Sequence, residues 1–178
     1  MGAFLDPMKV LEAVNVRPGM RVVDFGSGHG YYTIPLAKRL GEKGKIWAFD
    51  VQETAVEAVR SHARLQHLGN VEALRADLEK PGATGLNNET ADLVILANIL
   101  FQAEEKQTII AEAKRILKKE GEILIIEWNE GSSPLGPPAS VRISKETAQH
   151  LMREAGLQKE REFDAGGWHY GLVFKKLT

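Results

Sequence analysis

The stretch that most narrows the fold runs Val22-Val23-Asp24-Phe25-Gly26-Ser27-Gly28-His29-Gly30, with Tyr31, Tyr32 and Thr33 behind it. Its first half is a short apolar run closing on an acid, the pattern of a buried parallel strand that reaches the edge of its sheet. Gly26, Gly28 and Gly30 alternate with small or polar residues, so the backbone can turn tightly and approach a ligand with no Cβ in the way. A helical pattern follows. Strand, glycine turn and helix together make the ligand-cradling corner of a doubly wound α/β sheet, whose ligands bind beyond the carboxyl ends of the strands.

Charge decides the kind of ligand. Dinucleotide and phosphate loops set an anion against a helix N-terminus, and the phosphate loop adds a lysine. Here no Lys or Arg lies between Arg21 and Lys38, and Asp24 stands two residues before the first glycine. An anion within about 4 Å of that carboxylate meets repulsion of roughly 4 kcal/mol at an effective dielectric of 20, and a cation gains as much. Among nucleoside cofactors, positive charge near the centre describes S-adenosylmethionine, with its sulfonium and ammonium groups.

The rest of the chain reads as alternating strands and helices. Met1 to Val16 has a helical pattern (Phe4, Leu5, Met8, Leu11, Val14) with Asp6-Pro7 as its start, an N-terminal helix and candidate lid. Strands are predicted at Lys45 to Asp50, Val71 to Arg75, Ala91 to Ala97, and Glu122 to Glu127. Two more are predicted near Leu157 to Phe163 and His169 to Phe174. Helices are predicted around Ile34 to Leu40, Gln52 to Leu68, Glu104 to Lys119, and from Ser144 to Ala155. A parallel crossover needs a dozen or more residues, so the last two strands, five residues apart, must be antiparallel. The expected fold is α/β: a doubly wound, mostly parallel seven-stranded sheet whose last strand is antiparallel, with helices on both faces.

At 178 residues the chain is expected to form one domain. The net charge of -1 comes with no basic block, so no nucleic-acid surface is evident. There are no cysteines, which excludes disulfides, thiolate metal sites and cysteine nucleophiles. No apolar run approaches a membrane span and no signal-peptide pattern opens the chain, so the expected location is cytoplasmic, with no membrane partner. No metal site is expected, and the oligomeric state is not legible.

With these residues in view, the chain resembles the class I S-adenosylmethionine-dependent methyltransferases over nearly its whole length. The resemblance rests on Val22 to Gly30, on Asp50 and Asp77 after the second and third strands, on Ala91-Asp92-Leu93-Val94 with Asn98, and on Arg115-Ile116-Leu117-Lys118 before Gly121. It implies that Gly26, Ser27, Gly28 and Gly30 line the methionine half of the cofactor, with Asp24 near its ammonium. It further implies that Asp50 receives the ribose hydroxyls and Asp77 the adenine amino group, with Leu78 beside it and Val51 on a ring face. Asn98 and Ile99 would close the site beside the sulfonium, and S-adenosylhomocysteine would be the product.

Three strand-end acids converging on one crevice agree with that reading, although each alone could merely cap the next turn. An oxygen acceptor would benefit from a general base. The candidates near the crevice are His29, Tyr31, Tyr32, Glu127, Arg142 and His169. Of these His29 reads more readily as a turn residue, Tyr31 and Tyr32 as packing, and Arg142 as either a structural group or a partner for an acceptor's carboxylate. Trp128, Trp168 and Tyr170 are candidate walls of an apolar acceptor pocket. No substrate domain interrupts the fold, which favours a small-molecule acceptor. The competing readings are a nicotinamide-dependent oxidoreductase and a non-catalytic S-adenosylmethionine-binding protein.

Overall fold

The computed structural model describes residues 5–131 and 135–177. Seven strands form one sheet: β1 Arg21–Phe25, β2 Lys45–Asp50, β3 Val71–Arg75, β4 Ala91–Ala97, β5 Leu117–Trp128, β6 Gln158–Gly166 and β7 His169–Lys175, in the order β3-β2-β1-β4-β5-β7-β6. The first five pair in parallel, and β7 runs antiparallel to both β5 and β6. The order reverses between β1 and β4, which places a topological switch point beside the glycine loop.

Helices α1 Pro7–Leu11, α2 Thr33–Leu40, α3 Glu53–Leu65, α4 Lys106–Ile116 and α5 Lys145–Glu154 cover the two faces. Strand alternation sorts the core. Val23, Phe25, Leu96 and Ile125 face α4 and α5, while Val22, Ile95, Leu124 and Ile126 face α1 and α2. Strands buried on both faces are the continuous apolar runs seen in the sequence. Asn70 is buried and donates from Nδ2 to the carbonyls of Ala37 and Gly41 at 2.7 and 3.0 Å, closing the C-terminus of α2.

Several boundaries differ from expectation. The N-terminal helix is five residues long; Phe4 and the residues before it lie outside the described residues. Helix α1 ends at Leu11, where the N–H groups of Glu12 and Ala13 reach back only three residues, to the carbonyls of Lys9 (3.2 Å) and Val10 (3.1 Å); Val14 and Val16 are buried beyond it. Helix α3 stops at Leu65 because His67 takes the left-handed conformation (φ 54°) and Leu68 N–H returns to the Ala63 carbonyl. Helix α4 begins at Lys106, since Glu79 Oε2 accepts the N–H groups of Glu104 and Glu105. Strand β5 starts at Leu117, ahead of Gly121, by pairing with Ala91 before a register shift. The final hairpin turns in two residues, Gly167 and Trp168, both at positive φ (52° and 65°), the geometry of a tight hairpin turn.

Candidate active site

The glycine loop is tied to β2. Gly26 and Ser27 N–H groups donate to the Phe49 carbonyl at 2.8 and 3.0 Å, and Gly28 N–H donates to Asp50 Oδ2 at 2.9 Å. The other oxygen of Asp50 receives Gln52 N–H at 2.9 Å. One carboxylate therefore fixes both the loop after β1 and the turn after β2. Gly26, Gly28 and Gly30 all sit at positive φ (69°, 50° and 87°). A Cβ at Gly26 would meet Ile99 at 3.0 Å, whereas one at Gly28 would have nothing within 4 Å. The loop backbone thus approaches an open space there.

That space is a cleft of about 600 Å³ at the switch point. Gly26, Gly28, Asp50, Val51, Asp77, Leu78, Asn98 and Ile99 all line it, so eight of the residues singled out in the sequence meet on one surface. Its ionisable wall is acidic, Asp50, Asp77 and Glu79, with no Lys or Arg. Lys80 pairs with Asp77 at 3.2 Å from an exposed position outside the cleft. Val51 stands half-exposed at the mouth, Leu78 and Ile99 are buried, and Asn98 is held by its N–H to the Ile126 carbonyl at 2.8 Å in a left-handed turn (φ 54°). A hollow of about 750 Å³ around Asn88, Arg115 and Lys176 lies at the other end of the sheet, away from the glycine loop.

Asp24, Ser27 and Gly30 stand apart from the wall. Asp24 lies beneath the loop, 1% exposed, where Thr33 Oγ1 donates to it at 2.6 Å. Burial pushes its carboxyl up to about 6 against the hydroxyl's opposing pull, and the Asp50 charge adds to the rise. Ser27 Oγ is buried without a partner.

The structure also sorts the remaining candidates. His29 is exposed, and its carbonyl lies 3.2 Å from His62 Nδ1. Tyr31 is half-exposed and donates its hydroxyl to the Leu5 carbonyl, anchoring the segment ahead of α1. Arg142 is structural. Its guanidinium donates to the carbonyls of Pro137 (2.9 Å), Asn129 (2.8 Å), Gly131 (2.6 Å) and Leu135 (3.3 Å), so four of its five N–H donors fold the loop after β5 and the forked pair that would grip an acceptor's carboxylate is taken. Trp128 packs against His169 (centroids 4.0 Å apart) and Arg142, and a Cβ on Gly136 would come within 2.6 Å of its ring. Tyr170 is buried and donates to the Ile143 carbonyl at 3.0 Å. Trp128 and Tyr170 therefore serve as packing, and Trp168 forms the hairpin turn.

Sequence reasoning missed Glu79, Gln102 and Ala103 on the cleft wall. Glu79 was within reach, two residues past Asp77 on the same loop. Gln102 sits one turn beyond Asn98 and donates to its carbonyl at 3.0 Å, a contact that composition does not signal.

Fold, switch-point cleft and glycine loop define a class I S-adenosylmethionine-dependent methyltransferase. Residues 17–166 match the family model described as "Methyltransferase domain", and the chain belongs to that family. It is 30% identical over 153 residues to the ubiquinone/menaquinone biosynthesis C-methyltransferase UbiE of Paraburkholderia xenovorans, covering 84% of this chain and 61% of that protein. An arsenite methyltransferase of Mus musculus is 31% identical over 109 residues, 58% of this chain and 29% of that one. A crystal structure of a SAM dependent methyltransferase from Aquifex aeolicus superposes with a TM-score of 0.88 at 31% identity, covering 96% of this chain and 89% of that one. The chain spans about half to three-fifths of the length of the UbiE relatives. Among the described residues, no helix is long and apolar enough to cross a membrane.

Proposed function

We propose that the protein transfers a methyl group from S-adenosylmethionine to a small-molecule acceptor. The single observation that carries the reading is the acid-walled cleft over Gly28, where backbone meets open space and no cation waits for a phosphate. A diphosphate would face Asp50, Asp77 and Glu79 unpaired; a sulfonium and an ammonium are attracted by the same groups. The cofactor supplies an electrophilic methyl group on sulfur.

In this reading Asp50, its backbone bonds kept, uses its remaining lone pairs on the ribose hydroxyls. Asp77 takes the adenine amino group, with Leu78 and Val51 against the ring. The backbone of Gly26, Ser27, Gly28 and Gly30 runs along the methionine half, Asp24 acts on its ammonium from below, and Asn98 and Ile99 border the sulfur. The chain's work is alignment and exclusion of water, which alone can supply much of a rate enhancement.

The acceptor is proposed to be small because, among the described residues, no substrate domain interrupts the fold. A quinone-type acceptor, named for the UbiE relatives, fits this size class. With no cysteine, the chain cannot offer a thiolate to arsenic. Calorimetry with S-adenosylmethionine, S-adenosylhomocysteine and NADH tests the reading. Binding of the first two without the third is expected; binding of NADH alone overturns it.

A further inference from the structure

Among the described residues, five buried side-chain polar atoms have no partner: Ser27 Oγ, Tyr32 Oη, Asn98 Oδ1, Glu127 Oε2 and His169 Nε2. All five belong to one rim. Ser27 follows β1, Tyr32 opens α2, Asn98 ends β4, Glu127 ends β5, and His169 begins β7, which runs the other way. Register confirms the neighbourhood, with Ala97 beside Ile126 and Trp128 beside His169. Leaving a buried polar group unpaired is costly, so five at one end of a sheet mark a place that a polar ligand completes.

Their chemistry has a sign. The amide oxygen of Asn98 accepts hydrogen bonds, Glu127 Oε2 accepts when ionised and donates when protonated, and the hydroxyls of Ser27 and Tyr32 can do either. His169 joins the acceptors. Its Nδ1 lies 2.7 Å from the Gly167 carbonyl, which can only accept, so Nδ1 carries the hydrogen and the neutral ring leaves Nε2 bare. Burial lowers the ring's pKa and keeps it neutral. The cations nearest the rim are tied elsewhere: Lys106 acts on Glu127 from a distance while its Nζ donates to the Ala103 carbonyl. The nearby guanidinium of Arg142 is committed to loop carbonyls, and Asp24 and Glu127 are carboxyls.

We infer that the methyl acceptor is a protic molecule without negative charge, bearing a hydroxyl or amino group, and that His169 Nε2 receives the hydrogen bond and then the proton of its nucleophilic atom. This rests on the methyl-transfer reading above. His169 lies two strands from Asn98, about 10 Å at ordinary strand spacing. As the acceptor's oxygen or nitrogen forms its bond to the methyl carbon, the methyl–sulfur bond breaks and its electron pair stays on sulfur. The acceptor's proton passes to Nε2, giving an imidazolium that releases it to water, while Nδ1–H keeps its bond to Gly167. An acceptor bearing a carboxylate or phosphate meets two buried carboxyls here, Asp24 and Glu127.

The test uses 15N-histidine NMR of the whole protein with S-adenosylhomocysteine bound, adding 4-methylphenol, 4-methylaniline or 4-methylbenzoate. The inference expects the Nδ1–H tautomer at His169 and an Nε2 resonance that moves with the phenol or the aniline but not with the benzoate. A protonated Nε2 in the free protein, a response to benzoate alone, or no response to either protic probe overturns it. His169→Asn keeps a donor for Gly167 and removes Nε2. Its turnover of the responding probe should fall about 100-fold or more, with S-adenosylhomocysteine affinity held within about twofold. Undiminished turnover also overturns the assignment. Failure to bind S-adenosylhomocysteine at all, read by calorimetry, instead removes the methyl-transfer reading beneath it.

Discussion

Glu127 Oε1 accepts the backbone N–H of Leu100 at 2.7 Å, joining the end of β5 to the turn that follows β4. Phe101 N–H approaches the same oxygen at 3.4 Å. That turn carries Asn98 and Ile99 into the cleft, so a fully buried acid two strands from the glycine loop sets the far wall of the site. Desolvation pushes its carboxyl up to about 7, more than the backbone donors hold it down.

Glu127 therefore makes stability depend on pH. Its folded pKa lies above the unfolded value, so the native state holds the proton more tightly, and stability falls as pH rises from about 4.5 to about 7. Glu127→Gln keeps an oxygen for Leu100 N–H and cannot ionise. The variant should be more stable than the parent at pH 8, by at most about 3 kcal/mol, with the difference gone below the unfolded pKa. Urea denaturation at pH 4.5 and pH 8 measures it; a variant equally destabilised at both values would show that the carboxyl's charge state is irrelevant.

Asp24 links cofactor affinity to pH in the opposite sense. With its carboxyl raised to about 6, part of the population is neutral below that value, and a cationic ligand favours the ionised form. S-adenosylmethionine affinity should strengthen as pH rises from 5 to 7, by up to about tenfold per unit below the midpoint. Calorimetric titrations across that range should give a slope that Asp24→Asn flattens. A parent protein with pH-independent affinity would mean the buried acid does not sense the ligand's charge.

Asp50 carries two loads, the loop bond to Gly28 and the proposed bonds to ribose. Asp50→Asn retains an acceptor oxygen for one of them, whereas Asp50→Ala loses both. We expect the alanine variant to bind S-adenosylhomocysteine more weakly by about 1.5 to 3 kcal/mol, with the asparagine variant between it and the parent. Unchanged affinity in a folded alanine variant, followed by calorimetry, would remove ribose from this position.

Much of this was readable from the residues alone, for definite reasons. Apolar runs bounded by glycines and acids mark β1, β2 and β4 because a strand buried on both faces has no room for alternation. The cleft residues Asp50 and Asn98 were legible because each closes such a run at once, and Asp77 because it stands two residues past β3. What was hidden depends on partners that a sequence does not display. Asp24 reads as a wall residue until the Thr33 hydroxyl is seen beneath the loop. Arg142 reads as either a structural group or a partner for a carboxylate, and only its bonds to backbone carbonyls, which every residue carries, decide for the first. Val14 fits the stripe of Leu11, yet the helix ends at Leu11 and Val14 is buried beyond it.

Gly28 offers the most local test of the cleft. A Cβ there meets nothing within 4 Å, so the folded chain has room for a side chain, although φ of 50° imposes a modest strain on any residue but glycine. Gly26 differs, because its Cβ would already press on Ile99 at 3.0 Å. Gly28→Val should fold with a slightly lower melting temperature and project its two methyl groups into the space where the loop backbone meets the ligand. S-adenosylhomocysteine affinity should fall about tenfold or more, and less in Gly28→Ala, because the loss tracks side-chain volume rather than backbone strain. Equal losses in the two variants would assign the effect to the loop's conformation, and no loss in either would place the ligand elsewhere.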